Sequence, residues 1–125
     1  VSPIKSNDKE FRRFAKNPSQ EPVVMLNLLK FKPHGAADYV SYTKVAGSAV
    51  ANVGGKVLYM GKANELLNGD EAWDYVLLIQ YPSRKAFLQM IDDPEYLKAH
   101  EYRLKACEQA VLYATDPVKF VDPKE

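Results

Sequence analysis

The stretch VVMLNLLKF, residues 23 to 31, is apolar on both of its alternating phases. In an extended chain Val23, Met25, Leu29 and Phe31 fall on one side, and Val24, Leu26 and Leu28 fall on the other. A run this short and this two-sided does not suit a surface helix, whose apolar residues recur every three or four positions. It fits a central strand covered on both faces. The segment WDYVLLIQY, 73 to 81, has the same character, with Trp73, Tyr75, Leu77 and Ile79 opposing Val76 and Leu78. Any fold for these 125 residues must bury two such strands, and the length suits one domain with its own core.

The remaining segments supply the partners. Residues 6 to 16 place Phe11 and Phe14 three apart behind Ser6, Asn7 and Asp8, each a possible cap, which predicts a short amphipathic helix. A breaker-rich loop from Pro18 to Pro22 sets it apart from the main fold. After a turn at His34-Gly35, residues 38 to 53 carry Tyr39, Tyr42, Ala46, Ala49, Val50 and Val53 at helical spacing, ending at Gly54-Gly55. KVLYMGKA (56 to 63) alternates as a strand, and ANELLNGDEA is a polar loop with an Asn68-Gly69-Asp70 turn. Ser83 can cap a helix over 84 to 91. Asp93-Pro94 can start another that runs to about Glu108, and AVLYAT (110 to 115) is a last strand.

This reading divides the chain into an N-terminal helix and linker (1 to 21), a core domain (22 to 117) and a tail (118 to 125) that contains Val118, Phe120 and Val121. The core order is strand, helix, strand, strand, helix, strand. That is an α+β, ferredoxin-like βαββαβ arrangement: a four-stranded antiparallel sheet with its helices on one face. Right-handed crossovers place the first and third strands in the middle, which are the two most apolar. Helices can cover only one face, yet both faces of these strands are apolar. The simplest cover for the other is the same face of a second copy, giving a sheet-to-sheet homodimer. The alternative is that the N-terminal helix or the tail lies over it.

Charge and composition restrict partners. Seventeen basic residues against sixteen acidic give a net charge of +1, with no field to recruit nucleic acid or anionic membrane, and the basic-aromatic signature of RNA-binding ferredoxin-like domains is missing. No apolar run reaches the roughly 18 to 20 residues of a membrane span, and VSPIKSNDKEF lacks the apolar core of a secretion signal. One cysteine, Cys107, cannot form an internal disulfide, and with two histidines it falls short of a zinc set. A cytoplasmic protein is the expectation. No phosphate-binding glycine loop, dinucleotide fingerprint or nucleophile elbow occurs, and a lone His34 or His100 is weak grounds for haem, so no cofactor is expected.

Several residues are candidates for chemistry. Asn27 sits mid-strand among apolar neighbours, where an unsatisfied amide costs about 1 to 3 kcal/mol. It either points at a substrate carbonyl or bonds a buried tyrosine, histidine or water. Tyr96, His100, Arg103 and Cys107 trace one helical stripe predicted to face the sheet. His100 is then a packed histidine or a proton-transfer group, and Arg103 pairs with Asp74 or a helix carboxylate, or holds a ligand's anion. Tyr39, Tyr42, Tyr59 and Trp73 are core residues or walls of an aromatic pocket. Lys30 and Lys32 end the first strand, as solvated lysines or, for Lys30, as a ligand contact. Cys107 has no activating neighbour and is expected to be inert.

The blocks PVVMLNLLKFK, GGKVLYMGKA, WDYVLLIQYPSRKAF and DPEYLKAHEYRLKA resemble those of the domain-of-unknown-function family numbered 1330. The YPS then DPEY pair and Arg103-x-x-Ala106 are the most specific part, and the likeness extends from Pro22 to Asp116. It implies the dimeric α/β-barrel superfamily, which includes small monooxygenases, polyketide cyclases, isomerases of lactone metabolism and some haem enzymes. It transfers no catalytic residue set to these positions. The leading expectation is a cofactor-independent site between sheet and helices for a small carbonyl-bearing or aromatic compound. In it Asn27 is the polar donor, His100 moves the proton, Arg103 holds an anion, and Tyr42, Tyr59 and Trp73 are walls. The rival is a non-catalytic ligand-binding or regulatory module using the same cleft.

Overall fold

A computed structural model describes residues 4–119. Its elements are α1 (Asp8–Lys16), β1 (Val23–Phe31), α2 (Gly35–Asn52), β2 (Lys56–Lys62), β3 (Tyr75–Tyr81), α3 (Arg84–Ile91), α4 (Pro94–Ala106) and β4 (Cys107–Thr115). The strands form one antiparallel sheet in the order β2-β3-β1-β4. The two strands with apolar residues on both phases occupy its centre, as their composition requires.

Most boundaries follow from local chemistry. Ser83 accepts a hydrogen bond from the Ala86 N–H at 3.1 Å, and Asp93 accepts from Glu95 at 2.8 Å with Pro94 in the first turn, so α3 and α4 start where their caps lie. Three boundaries depart from expectation. α2 begins at Gly35 rather than Asp38, because His34 adopts a left-handed backbone at φ 66° and starts the helix early. β3 begins at Tyr75, leaving Trp73 outside the strand. The Asp74 carboxylate accepts the Phe31 N–H at 2.7 Å, so a side chain replaces the next rung of the β1–β3 ladder. α4 stops at Ala106 and the chain turns straight into β4 at Cys107, three residues before the expected strand.

That loopless junction leans on the start of α2. The Ala106 carbonyl accepts the Lys32 N–H at 2.9 Å. A Cβ on Gly35 would collide with that same carbonyl oxygen, which is backbone and cannot move aside.

Helices α2, α3 and α4 cover one face of the sheet, where the core divides in two. One cluster joins Val23, Met25, Val50, Tyr81, Phe87 and Met90, and the other joins Leu29, Tyr39, Leu77, Ala106 and Cys107. α1 lies against α3, with Phe14 edge-on to Phe87 at 5.7 Å between ring centres and the Arg84 guanidinium 5.4 Å over the Phe14 ring. Arg84, buried, also forms a two-pronged pair with Asp116 at 3.0 and 3.1 Å, tying α3 to the end of β4. The N-terminal helix therefore packs on the helical side, and among the described residues no helix covers the opposite sheet face. In the tail, Phe120 and Val121 lie outside the described residues.

Gly35→Ala is expected to destabilise the fold by about 1 to 3 kcal/mol through this collision, read as a lower denaturant midpoint at unchanged slope. The Arg84 hydrogen bond holds the Asp116 carboxyl below its ordinary value of 3.8. A depressed carboxyl stabilises above its unfolded value and ceases to as pH falls through its folded value. Asp116→Asn should accordingly be less stable than the parent at pH 7, and the two should converge in denaturation curves taken below pH 3.8.

Candidate functional site

Asn27 is the one polar residue on the helix-facing side of β1, between Met25 of one core cluster and Leu29 of the other. It lies opposite Leu77 of β3 and Leu112 of β4, at the seam between the two clusters, which Ile79 touches from both sides. A cavity of about 40 Å³ occupies this seam, lined by Asn27, Tyr42 of α2, Tyr96 and Arg103 of α4, Leu112 and apolar side chains of the first cluster. Asn27 is 9% exposed, and its amide donates only a marginal bond, 3.5 Å to the Met25 carbonyl.

Arg103 is 7% exposed and is the only charged residue in the lining. Its guanidinium has neither a hydrogen bond nor an ion pair among the described residues. The expected partner, Asp74, is bonded to the Phe31 N–H instead. The positive charge is felt nearby, opposing the upward push of burial on the Tyr39, Tyr42 and Cys107 acid groups. Burial dominates at all three and holds them protonated. Cys107, wholly buried, is thus a poor nucleophile at neutral pH.

His100 adjoins the cavity without lining it. Its ring stacks on Tyr96, 6.1 Å between centres and 26° from parallel, while Tyr96 meets Tyr42 hydroxyl to hydroxyl at 3.5 Å. Burial, and secondarily Arg103, push the His100 pKa below 6.5, so the ring is neutral near pH 7. Its Nδ1 is buried with no hydrogen-bond partner among the described residues. A neutral imidazole with a free ring nitrogen is the form a general base requires.

The structure thus brings Asn27, Tyr42 and Arg103 to one cavity with His100 behind Tyr96, and places the other candidates elsewhere. Tyr59 does not reach the cleft. A bulge at Leu58 sets it opposite Leu78 on the bare sheet face, 56% exposed. Trp73 lies in the loop before β3, outside the lining. Lys30 alternates to the bare face, opposite Gln109. Tyr96 is the residue that inspection of the sequence underrated. It lies on the His100–Arg103 stripe, but its pairing with Tyr42 depends on how α2 and α4 meet. A wider groove of about 550 Å³ opens at the end of the sheet beside Lys32, His34, Lys62, Asp74 and Glu108. These side chains are all exposed to solvent, whereas Asn27 and Arg103 in the seam are buried, so the seam is the stronger candidate. No group of three or more metal-binding side chains occurs among the described residues, and no described helix is long and apolar enough to cross a membrane.

The sequence matches the family described as Domain of unknown function (DUF1330) over residues 26–116. No curated protein matches it. The crystal structure of a protein of unknown function from Rhodopseudomonas palustris is 33% identical, with 95% of this chain and 99% of that chain covered and a TM-score of 0.87. A dimeric protein of unknown function and ferredoxin-like fold from Bacteroides fragilis is 14% identical over 76% of this chain and 95% of its own, with a TM-score of 0.55. The cofactor-independent oxygenase SnoaB from Streptomyces nogalater is also 14% identical, over 82% and 98%, with a TM-score of 0.55. The last two are likenesses of fold. With the family match spanning most of the chain and the sheet order observed here, this ferredoxin-like α+β chain belongs to the DUF1330 family.

Proposed function

We propose that the seam between sheet and helices receives a small carbonyl-bearing compound and that the chain acts on it without a cofactor. The observation that carries this reading is Asn27, a buried amide with one marginal hydrogen bond, set in a cavity in the middle of the sheet. A side chain placed there without full partners opposes folding, and a ligand oxygen supplies the missing bond. The chemistry that suits the set is proton abstraction beside a carbonyl. The neutral His100 ring takes a proton from the carbon next to the carbonyl, the C–H electron pair moves toward the carbonyl oxygen, and the Asn27 amide donates to that oxygen as it gains charge. Tyr42 and Tyr96 form the wall between His100 and the cavity, and their 3.5 Å contact is weak enough to part when a ligand enters. SnoaB, with a similar fold, is a cofactor-independent oxygenase.

The place of His100 favours a second reading. Because it does not line the cavity, the same cleft also suits a binding module that holds the compound unchanged. Deuterium exchange separates the two. In D2O the protein is expected to wash deuterium into a small ketone or keto acid beside its carbonyl, and His100→Ala to slow this by about 10²-fold or more while remaining folded. Binding without exchange in the parent protein favours the module.

We further propose a homodimer formed through the bare sheet face. Leu26, Leu28, Val76, Leu78, Val111, Tyr59 and Tyr113 share that face, with Tyr59 56% and Tyr113 63% exposed. A contiguous apolar patch of several hundred Å² is unusual on a monomer, and the related fold from Bacteroides fragilis is described as dimeric. Light scattering at micromolar concentration should give twice the 14.1 kDa chain mass, and Leu26→Lys should halve it or drive the protein out of solution. A monodisperse monomer in the unmodified protein rejects this assembly.

A further inference from the structure

We infer that the seam cavity selects a short oxo acid, whose carboxylate is held by Arg103 while its carbonyl oxygen faces Asn27; this rests on the reading above that the cleft receives a carbonyl compound. Arg103 is buried to 7% exposure, lines the cavity, and has no hydrogen-bond or ion-pair partner among the described residues. A guanidinium left with only slight solvent contact is ordinarily paired with a carboxylate close by. None lines this cavity. The structure contains an arginine paired with a carboxylate for comparison. Arg84 is equally buried, and its fork closes on the two oxygens of Asp116 at 3.0 and 3.1 Å. Arg103 lines the cavity with no such carboxylate beside it. The fork geometry fits a planar carboxylate with two parallel bonds.

Size decides which anion. A cavity needs roughly 10 to 15 Å³ to hold one water, so about 40 Å³ admits only the small end of a ligand, such as a carboxylate group. A phenolate ring is too large to lie there as the cavity stands. The rest of a short acid continues toward Leu112, which lines the cavity and is also 40% exposed on β4. With Asn27 and Arg103 in one lining, a carbonyl close to the carboxylate satisfies both groups at once. That is the pattern of a short oxo acid.

Pyruvate, methyl pyruvate and acetone, titrated into the full-length protein by calorimetry at pH 7, test this directly. Pyruvate is expected to bind at least 10-fold more tightly than methyl pyruvate, and Arg103→Met to abolish that preference while leaving any weak binding of the neutral compounds in place. Arg103→Lys, which keeps the charge and loses the fork, should retain only part of it. Equal binding of pyruvate and its ester by the parent protein overturns the carboxylate assignment and leaves the carbonyl cleft standing. Binding of none of the three overturns both. Because the ester comparison is made in the parent protein, it holds whether or not Arg103→Met folds.

Discussion

The carbonyl oxygen of Ala106 is the fixed point of this structure. It ends α4, accepts the Lys32 N–H, and lies so close to Gly35 that no side chain fits between. Three segments meet there: the exit of β1, the first turn of α2 and the junction of α4 with β4. Since α4 passes into β4 without a loop, its rotation about its own axis is set by that junction. One turn earlier stands Arg103, and the same rotation that buries Ala99, Ala106 and Cys107 directs Arg103 inward. An arginine that a freely rolling helix would turn to water is held over the sheet.

What this does to the core is visible in its division. An uninterrupted apolar layer over β1 would join Met25 to Leu29 through a hydrophobic residue at the position between. Asn27 stands there instead, and the two clusters are joined through Ile79 with a small space left at the seam. Filling the seam with an apolar side chain would be the more stabilising solution for a protein that needed only to fold. A buried amide and a buried guanidinium share that gap in place of an apolar side chain.

The sheet and its central strands were legible from VVMLNLLKF and WDYVLLIQY, because two-sided apolarity admits few environments. The caps at Ser83 and Asp93 were legible for a similar local reason, since each hydrogen bond spans two or three residues. The stripe Tyr96, His100, Arg103 followed from helical spacing. What spacing alone does not contain is which neighbour each side chain meets. Asp74 looked like a partner for Arg103 and is bonded to the end of β1, a contact across 43 residues. Tyr59 looked like a wall of the cleft, and the additional residue at Leu58 reverses its face. His100 shares the stripe with Arg103, yet Tyr96 comes between it and the cavity. Tertiary packing, not local preference, decides each of these outcomes.

The bulge at Leu58 has an effect on how copies of the chain can meet. β2 is an edge strand rich in exposed apolar side chains, Val57 to Met60, the kind of border that recruits another strand and grows into a fibre. An additional residue shifts the register between Val57 and Tyr59 and breaks the regular row of main-chain donors and acceptors along that border. A strand arriving from another molecule finds an irregular ladder and cannot pair along its full length. Growth by adding strands at this border is thereby discouraged, and the broad side of the sheet is left as the easier route for two copies to associate.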